Sequence, residues 1–409
     1  MRMEESARWV MESMWTDLPA GILENVFTFL PISSVCRFRT LSKNWNRFIS
    51  SPAFRHAQLS KASPEEFVLI TLRWGRLDGG WDVLDMAKRR FLTFSDDFLR
   101  NHVQQQGLAP LGHQFGRNYL AAAAGGLFCV RYLFDEETSG LFVCNPVLKT
   151  VKQLPHLAGW GEFSQRVVMS TDRVSMEYEI FVVNIPAYYT VGALSEPHSI
   201  LVYESKTGNW RQAPYKPMSP PVNYPSYQVW WGSLTIFRNE QYCIVNKGSR
   251  EGIVSYNKET GEVSDLAGVD IPLAPTSHLV VCTDRLFCVI PVEDDTDDFP
   301  SVEIFEINIS TKESNLLTEM PQDLLIWVLG HDLERGFFCE MESKIKVATG
   351  SADSILICTV VGRCAAYSLS KRSWSQYPDD HNLLEAYCQA DMTREELYGS
   401  SYCLSLCPP

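Results

Sequence analysis

Residues 201–214 read LVYESKTGNWRQAP, from Leu201 to Pro214. An apolar run ends on polar Glu204, a tight turn follows through Lys206, Thr207, Gly208 and Asn209, and bulky Trp210 opens a second run of alternating character. Such a stretch forms two strands closed by a short turn, with Gly and Asn where the backbone needs positive φ. The pattern recurs around Val83–Asp85 and Phe91, Phe142–Asn145 and Val151, Val254–Asn257 and Val263, Phe305–Asn308 and Ser314, and Ala365–Ser368 and Trp374. The polar anchors are Asp85, Asn145, Glu204, Asn257, Asn308 and Ser368, separated by 60, 59, 53, 51 and 60 residues. A bulky residue follows each anchor six positions later, Ser314 being the small exception.

Two further apolar runs precede most copies, as in Leu120–Ala124, Gly125-Gly126 and Leu127–Tyr132. Four strands in ~55 residues, repeated six times, predict an all-β, six-bladed β-propeller. The first copy is a strand short, with one apolar run (Phe67 to Thr71) before Val83. An open edge invites unwanted pairing, so the alternating segment Tyr402–Leu406 is expected to fill it and close the ring. Residues 382–398 are expected to form a helix leading there.

The N-terminal region has a different period. In residues 17–30, Leu18, Ile22, Val26 and Leu30 recur every four residues, and Leu23 and Phe27 widen the stripe, so a helix is predicted. Asp17 and Pro19 suit its first turn, and Pro31 stops it. Ser33 or Ser34 is expected to cap a second helix through Arg39, with Val35 and Phe38 inward. Ser42 is expected to cap a third, carrying Trp45, Phe48 and Ile49, which Ser50-Ser51-Pro52 ends. Three helices in about forty residues do not bury this apolar surface alone. Their spare face docks either on the rest of the chain, as a helical cap, or on another protein.

The residues themselves carry a resemblance. The run Trp15, Asp17-Leu18-Pro19, Ile22-Leu23, Val26-Phe27, Leu30-Pro31-Ile32, Arg37-Phe38-Arg39, Lys43-Asn44-Trp45 and Ser51-Pro52-Ala53-Phe54 resembles the F-box motif over residues 15–58. Ser42 in place of a frequent cysteine, and Phe48 in place of an aliphatic residue, depart mildly from it. The resemblance implies that this segment binds the small acidic Skp-type adaptor of cullin–RING ubiquitin ligases, and through it the cullin and RING subunits. It implies that Leu18, Pro19, Ile22, Leu23, Val26, Leu30, Pro31 and Val35 supply the contact, while Phe38 and Trp45 pack internally. The repeats resemble degenerate kelch repeats: Gly125-Gly126 is the one double glycine of that kind, and Trp210 and Trp374 fill the tryptophan slot. The combination resembles the plant F-box/kelch-repeat proteins. The expected organisation is an N-terminal extension (1–14), an F-box of three helices (15–58), a linker (59–66) and a kelch-like propeller (67–409).

In a four-stranded up-and-down blade, the turns between first and second and between third and fourth strands share one face. The second-to-third and blade-to-blade connections share the other. The latter set is long and varied here, as in 183–199, 154–164 and 214–226. Recognition tends to sit on variable loops carried by a rigid scaffold. Trp160, Tyr188, Tyr189, Tyr224 and Tyr227 are therefore the candidate contacts to a target protein, although each also suits packing against a blade edge. The acidic run Glu293–Asp298 reads as a solvated loop or as a contact for a basic target, and lacks the spacing of a Ca²⁺ loop.

Composition narrows the function. The net charge is −13, but residues 1–60 hold seven basic and five acidic side chains, leaving −15 for the rest. Such a chain is a poor general binder of nucleic acid or anionic membrane. The longest apolar stretch, Leu120 to Val130, is short of the ~20 residues that span a bilayer. Mixed charge from Arg2 to Arg8 is unlike a secretory signal. The twelve scattered cysteines then read as reduced thiols in the nucleus, the cytoplasm or both. The eight histidines are single, at no zinc spacing; no Gly-x-Ser-x-Gly or phosphate-binding loop is present. No cofactor, metal or catalytic residue is expected. The reading is a non-catalytic substrate receptor of a ubiquitin ligase, acting by proximity. The alternatives are a propeller hydrolase or oxidase with a helical cap, and a non-proteolytic scaffolding or transcriptional partner.

Overall fold

The computed structural model describes residues 20–61, 66–72, 80–107, 118–133, 139–157, 163–172, 175–186, 199–214, 216, 231–246, 251–266, 271–273, 277–292, 301–329, 345–351, 353–359, 363–377, 397–403 and 409. Four helices come first: α1 (Ala20–Thr28), α2 (Ile32–Arg39), α3 (Lys43–Ile49) and α4 (Pro52–Lys61). The fourth was not expected. Its start is the Ser50-Ser51-Pro52 stretch read as a stop: Phe54 N donates to Ser51 Oγ (3.2 Å), and Pro52 occupies the first helical turn. The helix reaches Lys61 and the first strand begins at Glu66, both inside the stretch read as linker.

The rest is a β-propeller of four-stranded antiparallel sheets. Five of them use four consecutive strands. The second has β4 (Asn118–Ala124), β5 (Leu127–Leu133), β6 (Ser139–Asn145) and β7 (Thr150–Gln153); the third has β8 (Phe163–Thr171), β9 (Tyr178–Pro186), β10 (Ser199–Glu204) and β11 (Asn209–Gln212). The fourth has β12 (Trp231–Phe237), β13 (Glu240–Asn246), β14 (Glu251–Tyr256) and β15 (Val263–Asp265). The fifth has β16 (His278–Cys282), β17 (Arg285–Val292), β18 (Ser301–Asn308) and β19 (Glu313–Glu319). The sixth has β20 (Ile345–Ser351), β21 (Ser354–Thr359), β22 (Cys364–Ser368) and β23 (Ser373–Tyr377). The first sheet is composite. To β1 (Glu66–Leu72), β2 (Trp81–Asp85) and β3 (Arg90–Phe94) it adds β24 (Leu397–Cys403), which pairs with β1 from Leu72↔Leu397 to Glu66↔Cys403.

The leading strand of each sheet neighbours the next, from β24 through β4, β8, β12, β16 and β20 and back to β24. The ring is thus closed by the C-terminal strand, upstream of the expected 402–406. Leu397 and Tyr398, expected in a helix, belong to this strand; residues 382–396 and 404–408 lie outside the described residues. The reason for the misplacement is chemical. Leading strands crowd together, which favours small residues, so Gly399-Ser400-Ser401 carries no apolar alternation to signal a strand. The crowding is explicit at Gly350 in β20, where an added Cβ would lie 2.1 Å from the carbonyl oxygen of Val281 in β16.

The repeated anchors close the turn between third and fourth strands. Asn145 Oδ1 accepts from Val147 N and Leu148 N, Asn257 Oδ1 from Glu259 N and Thr260 N, and Asn308 Oδ1 from Ser310 N and Thr311 N, all at 2.9–3.2 Å. Asp85 Oδ1 accepts from Lys88 N at 3.0 Å. These are Asx turns, which give the backbone a local partner in place of the ladder. The bulky position six later faces the residue before the anchor, as in Tyr203↔Trp210 and Tyr367↔Trp374. Each tryptophan also reaches the preceding sheet: Trp210 Nε1 donates to Pro155 O (3.0 Å) and Trp374 Nε1 to Glu319 O (3.0 Å).

Apolar clusters fill the gaps between neighbouring sheets; that between the sixth and first holds Leu84, Leu356, Cys358, Cys364 and Ala366. There the Arg89 guanidinium stacks on Tyr377 at 4.1 Å. Two helices absent from the sequence reading lie in blade-to-blade links: α5 (Asp97–Gln105), burying Leu99 and Val103, and α6 (Gln322–Leu329), burying Leu324, Leu325, Val328 and Leu329.

A methyl group at residue 350 must push two leading strands apart. Gly350→Ala is expected to destabilise the chain by about 1–3 kcal/mol, read as a fall in thermal midpoint by circular dichroism; an unchanged midpoint refutes the close approach. Deletion of residues 397–409 is expected to remove the cooperative unfolding transition of the whole ring.

Candidate protein-docking interface

The helical segment is built around a short aromatic chain. Phe27 meets Phe38 edge-on (4.6 Å between centroids) and Trp45 at 4.6 Å, and Phe48 packs on Phe54 at 4.9 Å. Trp45 N donates to Ser42 Oγ at 3.2 Å, so Ser42 caps α3 as expected. Ser33 and Ser34 do not cap α2. Pro31 is the cap residue, and both serines lie within the helix, since the fixed φ of proline already breaks the chain direction there. Lys61 Nζ donates to Asn25 Oδ1 (2.8 Å), tying α4 to α1.

Phe27, Ile32, Val35, Ile49 and Phe54 are buried in one apolar cluster that continues into Trp81, Val83 and Phe128 of the first two sheets. The helices therefore share a core with the propeller, yet part of their apolar surface stays bare. Ile22 and Val26 of α1 are 50% and 40% exposed, four apart on one face, and Phe29, one residue past the end of the helix, is 60% exposed. Leu41, between α2 and α3, is 66% exposed.

The expected adaptor contacts separate accordingly. Ile22, Val26 and Pro31 are exposed; Leu23 and Leu30 are half-buried against the shared core. Val35 has no exposed surface, so it serves packing and offers no contact to a second protein. Its neighbours on α2 explain this: Ile32 and Val35, three apart, form the buried face. Leu18 and Pro19 lie outside the described residues. Phe29 and Leu41 are exposed as well and were not among the expected contacts. Both Phe29 and Leu30 follow the end of α1: a strict four-residue period points to Leu30, which folds back toward the core, whereas Phe29 stays exposed. Trp160, Tyr188, Tyr189, Tyr224 and Tyr227 all lie outside the described residues.

On the loop-bearing face the described elements include α5, α6 and Arg363, just before β22. Thr359 Oγ1 donates to Val328 O (3.1 Å), and the Arg363 guanidinium stacks over Trp327 at 5.4 Å, which fixes α6 to the sixth sheet. Ile326 there is 42% exposed. Among the described residues no group of three or more His, Cys, Asp or Glu side chains is placed to hold a metal ion, and no helix is long and apolar enough to cross a membrane. Burial pushes the Cys129 thiol up to about 12 and raises Cys144 and Cys358 as well, so these thiols are poor nucleophiles.

These features define the class: a small helical N-terminal domain followed by a β-propeller. Residues 15–57 match the F-box domain, so the chain carries an F-box. Its relatives include an F-box protein of Arabidopsis thaliana, 23% identical over 197 residues (47% of this chain, 44% of the relative), and a putative F-box/kelch-repeat protein of the same plant, 27% identical over 208 residues (47% and 45%). The chain spans about half the length of the curated relatives it matches. Among solved structures it is similar to a nidogen/laminin complex at a TM-score of 0.46 and 10% identity, covering 84% of this chain and all of that one.

Burial distinguishes the two kinds of apolar residue. Val35→Asp is expected to unfold the helical segment, at a cost of several kcal/mol for an unpaired buried charge, whereas Phe29→Asp is expected to change the thermal midpoint little. Equal destabilisation by both would refute the assignment of Phe29 to a free face.

Proposed function

We propose that this protein is the substrate-recognition subunit of an SCF-type ubiquitin ligase. In this reading the F-box docks on a Skp-type adaptor, and through it on cullin and RING subunits. The kelch-like propeller, with the six sheets as its blades, holds an unidentified target protein on the loop-bearing face. The observation that carries the reading is the bare apolar surface of Ile22 and Val26 on α1 and of Phe29 just past its end, where the other side of the helix is already packed. An exposed apolar face next to a packed core suits contact with a second protein, and the F-box match supports a Skp-type adaptor in that place.

The function follows from proximity. Holding a target beside the ubiquitin carrier raises the effective concentration of its lysines, and no bond chemistry is asked of this chain. Trp160, Tyr188, Tyr189, Tyr224 and Tyr227 are the proposed target contacts, and nucleus and cytoplasm the proposed locations.

The test is co-purification of the full chain with a Skp-type adaptor. Ile22→Asp/Val26→Asp is expected to lower affinity at least a hundredfold with an unchanged thermal midpoint, since both side chains are exposed and central to that surface. Undiminished adaptor binding by the double variant refutes the reading.

A further inference from the structure

The fourth residue after each anchor is left-handed in every sheet. In the third and fourth sheets it is Gly208 (φ 70°) and Gly261 (φ 73°), the residue that takes this conformation without penalty. In the other four it is Arg89 (φ 50°), Lys149 (φ 56°), Lys312 (φ 56°) and Arg372 (φ 52°). All four substitutes for glycine are basic. A strained backbone position held by one chemical type, repeated around a ring, is the kind of outlier that points to function.

The charges around the ring are also uneven. In the third and fourth sheets described cations have partners, among them Arg211 with Glu204 (2.6 Å), Lys216 with Glu262 (3.3 Å) and Arg238 with Asp284 (2.9 Å). Lys149, Lys312 and Arg372 are exposed, and among the described residues no carboxylate lies within ion-pair distance of them. They sit on turns of one propeller face in the fifth, sixth and second sheets, with Arg89 between them. With Lys88, Arg90 and Lys371 in the same turns, and Asp85, Glu313 and Asp353 the carboxylates beside them, this arc is net positive on a chain of net charge −13.

The helical domain joins the ring at this same face. Residues 62–65 separate α4 from β1, and the start of β1 pairs with the end of β2, Phe67↔Asp85, next to the turn that carries Arg89. The helical core also takes in Val147 and Leu148, next to Lys149, so a protein seated on α1 is held on the arc's side of the ring. Nucleic acid fits less well, because a polyanion long enough to leave the arc meets a chain that is acidic elsewhere. We propose that Lys149, Lys312 and Arg372 form a second, electrostatic docking surface for the protein that α1 holds, met by acidic side chains of that partner. The inference rests on the adaptor-docking reading and adds a contact on the propeller itself.

The test compares the full chain with Lys149→Gly/Lys312→Gly/Arg372→Gly, which removes the charges and relieves the backbone. The variant is expected to melt at or above the wild-type temperature. Its association with a Skp-type adaptor is expected to be about tenfold slower at about 50 mM salt, with the difference below about twofold at about 500 mM. An unchanged association rate at low salt overturns the inference and leaves the F-box reading intact. Adaptor binding absent from the wild type at any salt overturns both. A single-stranded DNA of about 20 nucleotides that binds the wild type and not the variant, with adaptor rates unchanged, overturns it in favour of nucleic acid.

Discussion

The antiparallel pairing of β24 with β1 is the interaction on which the remaining architecture depends. It joins Leu397–Cys403 to Glu66–Leu72, so the first sheet exists only when both ends of the propeller have met. Without it β1 would present an unpaired edge, and the ring of leading strands would have a gap between β20 and β4. The contact at the seam is reinforced by Arg89 on Tyr377 and by the buried Leu84, Leu356, Cys358, Cys364 and Ala366. Pairing residues more than 300 positions apart carries a large loop-closure cost, met by apolar burial between the sixth and first sheets and by seven residues of ladder.

The helical domain solves a different problem. Its aromatic residues give it a core, and that core continues into the first two sheets. The domain is thus anchored, while Ile22, Val26, Phe29 and Leu41 remain accessible. Both possibilities open at the level of sequence, cap and docking module, are compatible: the helices bury one side against the propeller and leave apolar side chains bare on another. Anchoring also suits the proposed function, because a receptor that positions a target needs a fixed relation between the surface that holds the ligase and the one that holds the target.

Much of this was legible because it repeats. The anchors Asp85, Asn145, Asn257 and Asn308 betray the hairpins through side chains that bond their own turns, and Trp210 and Trp374 mark fourth strands that reach the neighbouring sheet. Helix α3 was legible through its serine cap. What failed has physical causes. The closing strand is made of residues chosen for smallness, so it lacks apolar alternation. Helix α4 was hidden by a serine–proline pair that serves equally to stop a helix and to start one. Helices α5 and α6 are short, and their apolar spacing is masked by links that read as loops. Along the exposed apolar surface, a strict four-residue count runs past the end of α1 to half-buried Leu30 where Phe29 is the exposed residue, and Val35 is consumed by the core.

The direction of β24 has a practical consequence for handling the protein. Cys403 lies opposite Glu66, so the chain leaves the wheel beside the point where the helices enter it, on the side away from the variable loops. A fluorophore or affinity handle fused downstream would start on the helix-bearing side of the ring. Under the proposed function it would report on assembly there, away from the variable loops.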